Sequence, residues 1–385
     1  MKLLFPLFAC LLAIPPLAAQ QFSGKETVSD LVDNPRSITA ADFNGDGLMD
    51  ILSASQSDRK VAWYPSLGGG GFGNQNLIHQ ATYPAFDCLA ADLNGDSIPD
   101  AIWTTHRDVA WSPNLGTGSF GTAQVLISTT TGTEFYVSCG DLDGDGDLDL
   151  IVAKSWRVSW LENLGSGTFG PEAVFGTRVE EPTAVRAEDV DGDGDLDVLS
   201  ASGRDNKIVW YENSGAGVLG SENLIANLNW AREVSCRDLD GDGINDVIGS
   251  GRGAYWYRNL GGGAFSSPMV ISNYNGDHWG LSVADIDLDG DADVLVSRAV
   301  GDFSWFENTG GAFGSAQPVS GGIGFVNSAM LVDVDSDGDL DAIGTSDLGQ
   351  HELFWCANRE VPDSDLDDDG LSNSDEASWG TNSLL

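Results

Sequence analysis

The chain has 385 residues, 41% of them hydrophobic, with 59 acidic against 18 basic side chains and a formal net charge of -41. The apolar share suffices for a large core, so the charge does not signal a disordered acidic chain. It does exclude a nucleic-acid surface, which needs a basic footprint, and gives no attraction to anionic lipid.

Met1 to Gln20 reads as a secretory leader. Lys2 gives a minimal charged start, Leu3 to Leu17 is apolar, and Leu17-Ala18-Ala19 offers a small-residue cleavage site. The stretch is short for a span of about 20 residues, and Leu7-Phe8-Ala9-Cys10 is a poor lipoprotein box because of Phe8. The expectation is a secreted or cell-surface protein with no transmembrane segment. Next, Phe22-Ser23-Gly24-Lys25-Glu26-Thr27-Val28 matches the last strand of the repeat unit described below, yet precedes the first unit.

Seven copies of one nine-residue phrase follow, starting at Asp42, Asp92, Asp141, Asp189, Asp238, Asp285 and Asp333, at intervals of 47 to 50 residues. They hold 30 of the 59 acidic residues. A period of this size marks modules that bury their apolar faces only against each other. Positions 1, 3, 5 and 9 are Asp or Asn, and position 6 is Gly in six copies. Oxygen donors at alternate positions of a tight turn suit a hard cation such as Ca²⁺. The candidate ligands are Asp42, Asn44, Asp46 and Asp50; Asp92, Asn94, Asp96 and Asp100; Asp141, Asp143, Asp145 and Asp149; and Asp189, Asp191, Asp193 and Asp197. The later copies offer Asp238, Asp240, Asp242 and Asp246; Asp285, Asp287, Asp289 and Asp293; and Asp333, Asp335, Asp337 and Asp341. In the fourth copy the carbonyl of Asp195 is a fifth donor. The alternative for any single copy is a solvated Asp-Gly turn. Ser97 takes the position-6 Gly of the second copy, which predicts the weakest site, since a side chain at positive φ is disfavoured. Leu288 and Ser336 replace only the position-4 Gly, and these copies are read as competent.

Around each phrase lie four short strand-like pieces. One precedes it, as in Val234 to Arg237, and one follows, as in Ala101 to Thr104. The third centres on Trp63, Trp111, Trp160, Trp210, Trp256, Trp305 or Trp355, usually with Asn three residues on. A turn of the form Leu-Gly-x-Gly-x-Phe-Gly leads to the fourth. Short strands with one aromatic and one Gly mark per unit predict an all-β fold, a seven-bladed β-propeller of four-stranded antiparallel blades. The seventh unit lacks a fourth strand, so the N-terminal piece is expected to join the last blade and close the ring, leaving no open edge. The repeated Trp reads as packing between blades. Cys88, Cys139 and Cys236 occupy apolar slots of the repeat and read as buried thiols, while the state of Cys356 is open.

Segments on the face opposite the phrases carry Arg59, Arg107, Arg157, Arg204, Arg252 and Arg298, together with His278 and Trp279. Arginines beside aromatics suit a glycan or an acidic protein loop. Local pairing with neighbouring acids is the other reading.

The tail is separate: Asp365, Asp367, Asp369, Asn373 and Glu376 fit a further calcium loop, D-x-D-x-D-G-x5-E. The chain thus divides into a leader (1–20), a propeller (21–358) and a tail (359–385).

The phrases, the Trp-x-x-Asn and the Leu-Gly-x-Gly-x-Phe-Gly turns resemble FG-GAP or VCBS repeats of the integrin α-subunit type, and the tail resembles a thrombospondin type 3 repeat. The resemblance implies calcium in the phrase loops and a role in extracellular adhesion or recognition. The expected function is that of a calcium-binding module, a monomeric propeller, for a glycan or protein ligand. The alternative is a polysaccharide lyase using groups such as His278, Tyr274 and His106, although no spacing ties these together.

Overall fold

The computed structural model describes residues 21–177, 179–298, 302–321, 323–347 and 350–359. The leader at 1–20 and the tail ligands from Asp365 to Glu376 lie outside them. Among the described residues there is no helix, and so none long and apolar enough to cross a membrane.

The four-piece pattern becomes four-stranded antiparallel sheets. The first holds Pro35–Ala41, Asp50–Ser55, Lys60–Tyr64 and Asn76–Gln80 in sequence order. The second, third and fourth repeat it, starting from Ala85–Ala91, Phe135–Gly140 and Pro182–Glu188. The first six residues of the strand after each phrase are buried, as in Asp149–Lys154, because sheets pack against both of its faces. The fourth strand is mostly exposed or half-buried.

Two departures from strict repetition matter. Glu233–Arg237, Asp246–Tyr257, Met269–Ala284, Asp293–Arg298, Asp302–Phe306 and Gln317–Gly321 form one six-stranded sheet. Met269–Ala284 is the outer strand of one repeat through Met269 to Asp277 and the inner strand of the next through His278 to Ala284. The connection between the two parts is extended where a loop was expected. The last sheet holds Phe325–Val332, Asp341–Asp347 and Glu352–Cys356, and its fourth member is the N-terminal Glu26–Ser29, in register Glu26 to Trp355 and Thr27 to Phe354.

The core lies between sheets. Trp63 packs under the Gly-rich turn of the next repeat, where a Cβ on Gly118 would come within 2.3 Å of its ring. The same contact recurs down the chain, and Trp355 makes it with Gly70 of the first repeat. One hydrophobic cluster accordingly joins Ile38, Ile51 and Tyr64 of the first sheet to Val334, Ile343 and Trp355 of the last. Cys88, Cys139, Cys236 and Cys356 are free thiols, and burial pushes that of Cys139 up to about 11.

Candidate functional site

Each phrase folds into the same loop. Its second residue is apolar and buried (Phe43, Leu93, Leu142, Val190, Leu239, Ile286 or Val334), which pins the loop to the core. The position-9 Asp is fully buried in all seven copies. Its Oδ2 accepts from the position-2 N–H at 2.8–3.3 Å. Its Oδ1 accepts from the N–H of Ser66, Asn114, Asn163, Asn213, Asn259, Asn308 or Asn358 at 2.7–2.8 Å. The asparagine side chains then tie repeats together. Asn163 Nδ2 donates to Leu93 O of the preceding repeat at 2.9 Å and to Leu148 O of its own at 3.0 Å. The regular Trp-x-x-Asn spacing was the sequence signal for this clamp.

The position-1 carboxylate accepts from the N–H groups at positions 4 and 6, as Asp42 does from Gly45 and Gly47 at 2.7 and 2.8 Å. Both donors lie in the left-handed region. Ser97 adopts it at φ 66, close to the 85 of Gly47, so the second loop keeps the shape of the others. Position 4 is left-handed too, so Leu288 (φ 61) and Ser336 (φ 67) bear a strain that attention to position 6 alone overlooked.

In five loops three carboxylates each bring an oxygen within 4.8 Å of one another: Asp141, Asp143 and Asp149; Asp189, Asp191 and Asp197; Asp238, Asp240 and Asp246; Asp285, Asp287 and Asp289; and Asp333, Asp335 and Asp341. Two ligands on opposite sides of a hard cation at ~2.4 Å are ~4.8 Å apart, so one ion can reach all three. In the fourth loop Asp193 is outside the group, and its Oδ1 accepts from Asp195 N at 3.0 Å. The first two loops carry Asn44 and Asn94 at position 3, and their amide oxygens accept from Asp46 and Asp96 N–H at 2.9 Å. Several acidic oxygens are buried with no hydrogen-bond donor: Asp240 Oδ1, Asp285 Oδ1 and Asp335 Oδ1. Oxygen-only clusters with orphaned carboxylate atoms fit a metal ion.

Burial, opposed by the two backbone hydrogen bonds and aided by neighbouring acids, raises the carboxyls of Asp50, Asp100, Asp149, Asp197 and Asp341 to about 6 and that of Asp293 to about 7. Glu212 and Glu307, two residues after Trp210 and Trp305, add their charge to Asp191 and Asp287. In the fifth repeat the same place is held by Arg258, which pairs with Asp240 and Asp242.

A second feature lies where the inner strands converge. A cavity of about 410 Å³ is lined from all seven repeats, by residues such as Arg36, Phe86, Tyr136, Arg186, Arg232, Trp279 and Asn327. Of the predicted ligand residues only Trp279 lines it. His278, expected on a loop, is fully buried, with Nε2 3.1 Å from Ser272 Oγ and Nδ1 3.1 Å from Gly276 O. Its ring is buried because Met269–Ala284 continues as a strand through that point. The arginines have local partners: Arg59 donates to Thr82 O, Arg107 stacks on Tyr83, and Arg157, Arg204 and Arg252 face Glu172, Glu181 and Asp277. Arg298 is buried over Tyr274, 4.7 Å from the ring centroid.

A model of the FG-GAP-like repeat matches residues 42–103, 92–152, 141–200, 189–249 and 238–296. The chain belongs to the FG-GAP-like repeat family. The matched spans contain the phrases from Asp42 to Asp293, and the seventh, at Asp333, keeps the FG-GAP loop geometry through the bonds from Val334 and Asn358 to Asp341. Comparison with curated protein sequences finds no match. Among solved structures, an Agrocybe aegerita lectin described as specifically recognising non-reducing terminal N-acetylglucosamine is 22% identical. It aligns with a TM-score of 0.58 over 75% of this chain and 81% of its own. BBS1N in complex with ARL6DN is 13% identical, with a TM-score of 0.63 over 89% of this chain and 98% of its own. These likenesses are of fold, the β-propeller type of repeated four-stranded sheets.

Proposed function

We propose that this FG-GAP repeat chain is an exported, calcium-loaded β-propeller that acts as a monomeric recognition module for an extracellular glycan. On this reading the six-stranded sheet is two blades joined through Met269–Ala284, and Glu26–Ser29 closes a ring of seven. The observation that carries the proposal is the cavity to which all seven repeats contribute, with Trp279, Arg36 and Arg232 in its lining. A rigid concave site with a few convergent polar groups is the usual form of a small-ligand site.

Calcium is the ion assigned to the loops because every donor is oxygen and the clusters tolerate irregular geometry. The cations act passively, neutralising carboxylates that otherwise repel across each turn and so stiffening the loop face. The lectin of the same fold gives a precedent for saccharide recognition, though the chemistry of the site has to be argued from this chain's own residues. The test is a glycan and matrix-protein array probed with the full chain in calcium and in chelator. Saturable binding to glycans in calcium is the expected result; binding only to matrix proteins, or to nothing, would overturn it.

A further inference from the structure

We infer that the cavity at the convergence of the inner strands binds a carboxylate-bearing saccharide, with Arg36 and Arg232 as the groups that receive the carboxylate. The inference rests on the glycan reading above and narrows it to acidic sugars.

Among the described residues nine lysines and arginines pair with a carboxylate, as Lys154 does with Glu172 and Arg186 with Glu233. Arg36 and Arg232 do not. The side-chain hydrogen bond of Arg36 is a long one, 3.4 Å from Nη1 to Asn327 Oδ1. Arg232 lies over Trp279 with its guanidinium 3.9 Å from the ring centroid, and its Nε is buried without an acceptor. Arg36 approaches the same ring at 5.6 Å. The acids of the cavity are already engaged. Asp87 accepts from Ser37 Oγ at 2.8 Å and from Val137 N at 3.0 Å, and Glu233 pairs with Arg186 at 2.6 Å.

The indole face covered by Arg232 is not free for a neutral sugar to stack on. What the site offers is guanidinium N–H donors in fork geometry, which match a carboxylate. Ser138, Ser235 and Ser328, which line the cavity from three different sheets, suit a polyhydroxylated body. The volume of about 410 Å³ falls within the size of small-molecule sites.

The test is calorimetry of the full chain in calcium with digalacturonate, its dimethyl ester, a glucuronate-containing disaccharide, sialyllactose and an N-acetylated diglutamate peptide. At least one acidic saccharide should bind. Esterification of digalacturonate, if that is the binder, and the Arg36→Gln/Arg232→Gln double variant against any binder, should each weaken binding about tenfold or more, the scale of a charge-assisted contact. The single variant Arg36→Gln guards against a double variant that fails to fold. Equal binding of the ester, undiminished binding by the variants, or silence of every acidic saccharide would overturn the inference, and binding of the peptide alone would point instead to an acidic protein. If neutral glycans bind on the array and ignore both variants, the recognition reading stands while this cavity assignment falls.

Discussion

Arg258 sets its Nε 2.6 Å from Asp240 Oδ2 and donates from Nη2 to Asp242 Oδ2 at 2.9 Å. A tethered guanidinium thus lies against the ligand set of the fifth loop, where other repeats have Glu162, Glu212 or Glu307. The fifth loop should therefore be the weakest calcium binder, ahead of the Ser97 loop. Arg258→Ala should raise the measured calcium stoichiometry by about one equivalent, since it removes the competing cation. An unchanged stoichiometry by calorimetry or elemental analysis would show that the arginine does not compete.

The pH dependence should change sign with calcium. Without the ion, carboxyls raised from 3.8 to about 6, such as Asp149 and Asp197, favour the folded state when protonated. That contribution is complete below the unfolded value and is lost as pH rises through about 6. In chelator the melting temperature should therefore fall between pH ~5 and ~7.5. Calcium needs the deprotonated form, so the stabilisation it adds should grow over the same interval. Thermal melts at both pH values, with and without chelator, measure both slopes; parallel slopes would exclude the linkage.

Asn163→Ala should be costly although the residue lies outside the acidic phrase. It strips a donor from the buried carbonyls of Leu93 and Leu148, for roughly 2–3 kcal/mol. Urea unfolding in saturating calcium is the measurement, and a loss under about 0.5 kcal/mol, the surface-substitution range, would deny the clamp.

Gly118→Val should cost more, about 3 kcal/mol or above, because it combines a branched side chain at φ 71 with a Cβ 2.3 Å from Trp63. Gly116→Val, whose Cβ meets only Ile98 at 3.9 Å, shares the backbone strain at φ 88 and is the control. Equal losses in the two variants would assign the whole effect to the backbone.

The repeating frame was legible because Asp spacing, strand alternation and the Trp and Gly marks recur once per unit, so each loop could be read from any other. Arg36, Arg232 and the cavity were not, since alternation tells which face of an inner strand a residue takes but not which strands face one another. The signal was nonetheless present: Arg36, Phe86, Arg232, Trp279 and Asn327 all stand six residues before the first Asp of their phrases. His278 was misplaced for a different reason. The stretch from Asn273 to Asp277 has the composition of a turn, but pairs on either side of it, Ser272 with Ala254, Asp277 with Arg252 and His278 with Arg298, keep it within one strand, and tertiary pairing overrode local preference.

Thr27 and Glu352, hydrogen-bonded across the last sheet, are 325 residues apart. In a nascent chain Glu26–Ser29 emerges ahead of the first four-stranded sheet, and the strand it pairs with emerges only after the sheets between them. Until then Glu26–Ser29 has no strand to pair with, and joining the two is a contact of very high sequence separation, the slow kind in folding. The last sheet is thus complete only when both strands are present, and a product that stops short of Glu352–Cys356 carries an unpaired strand with it.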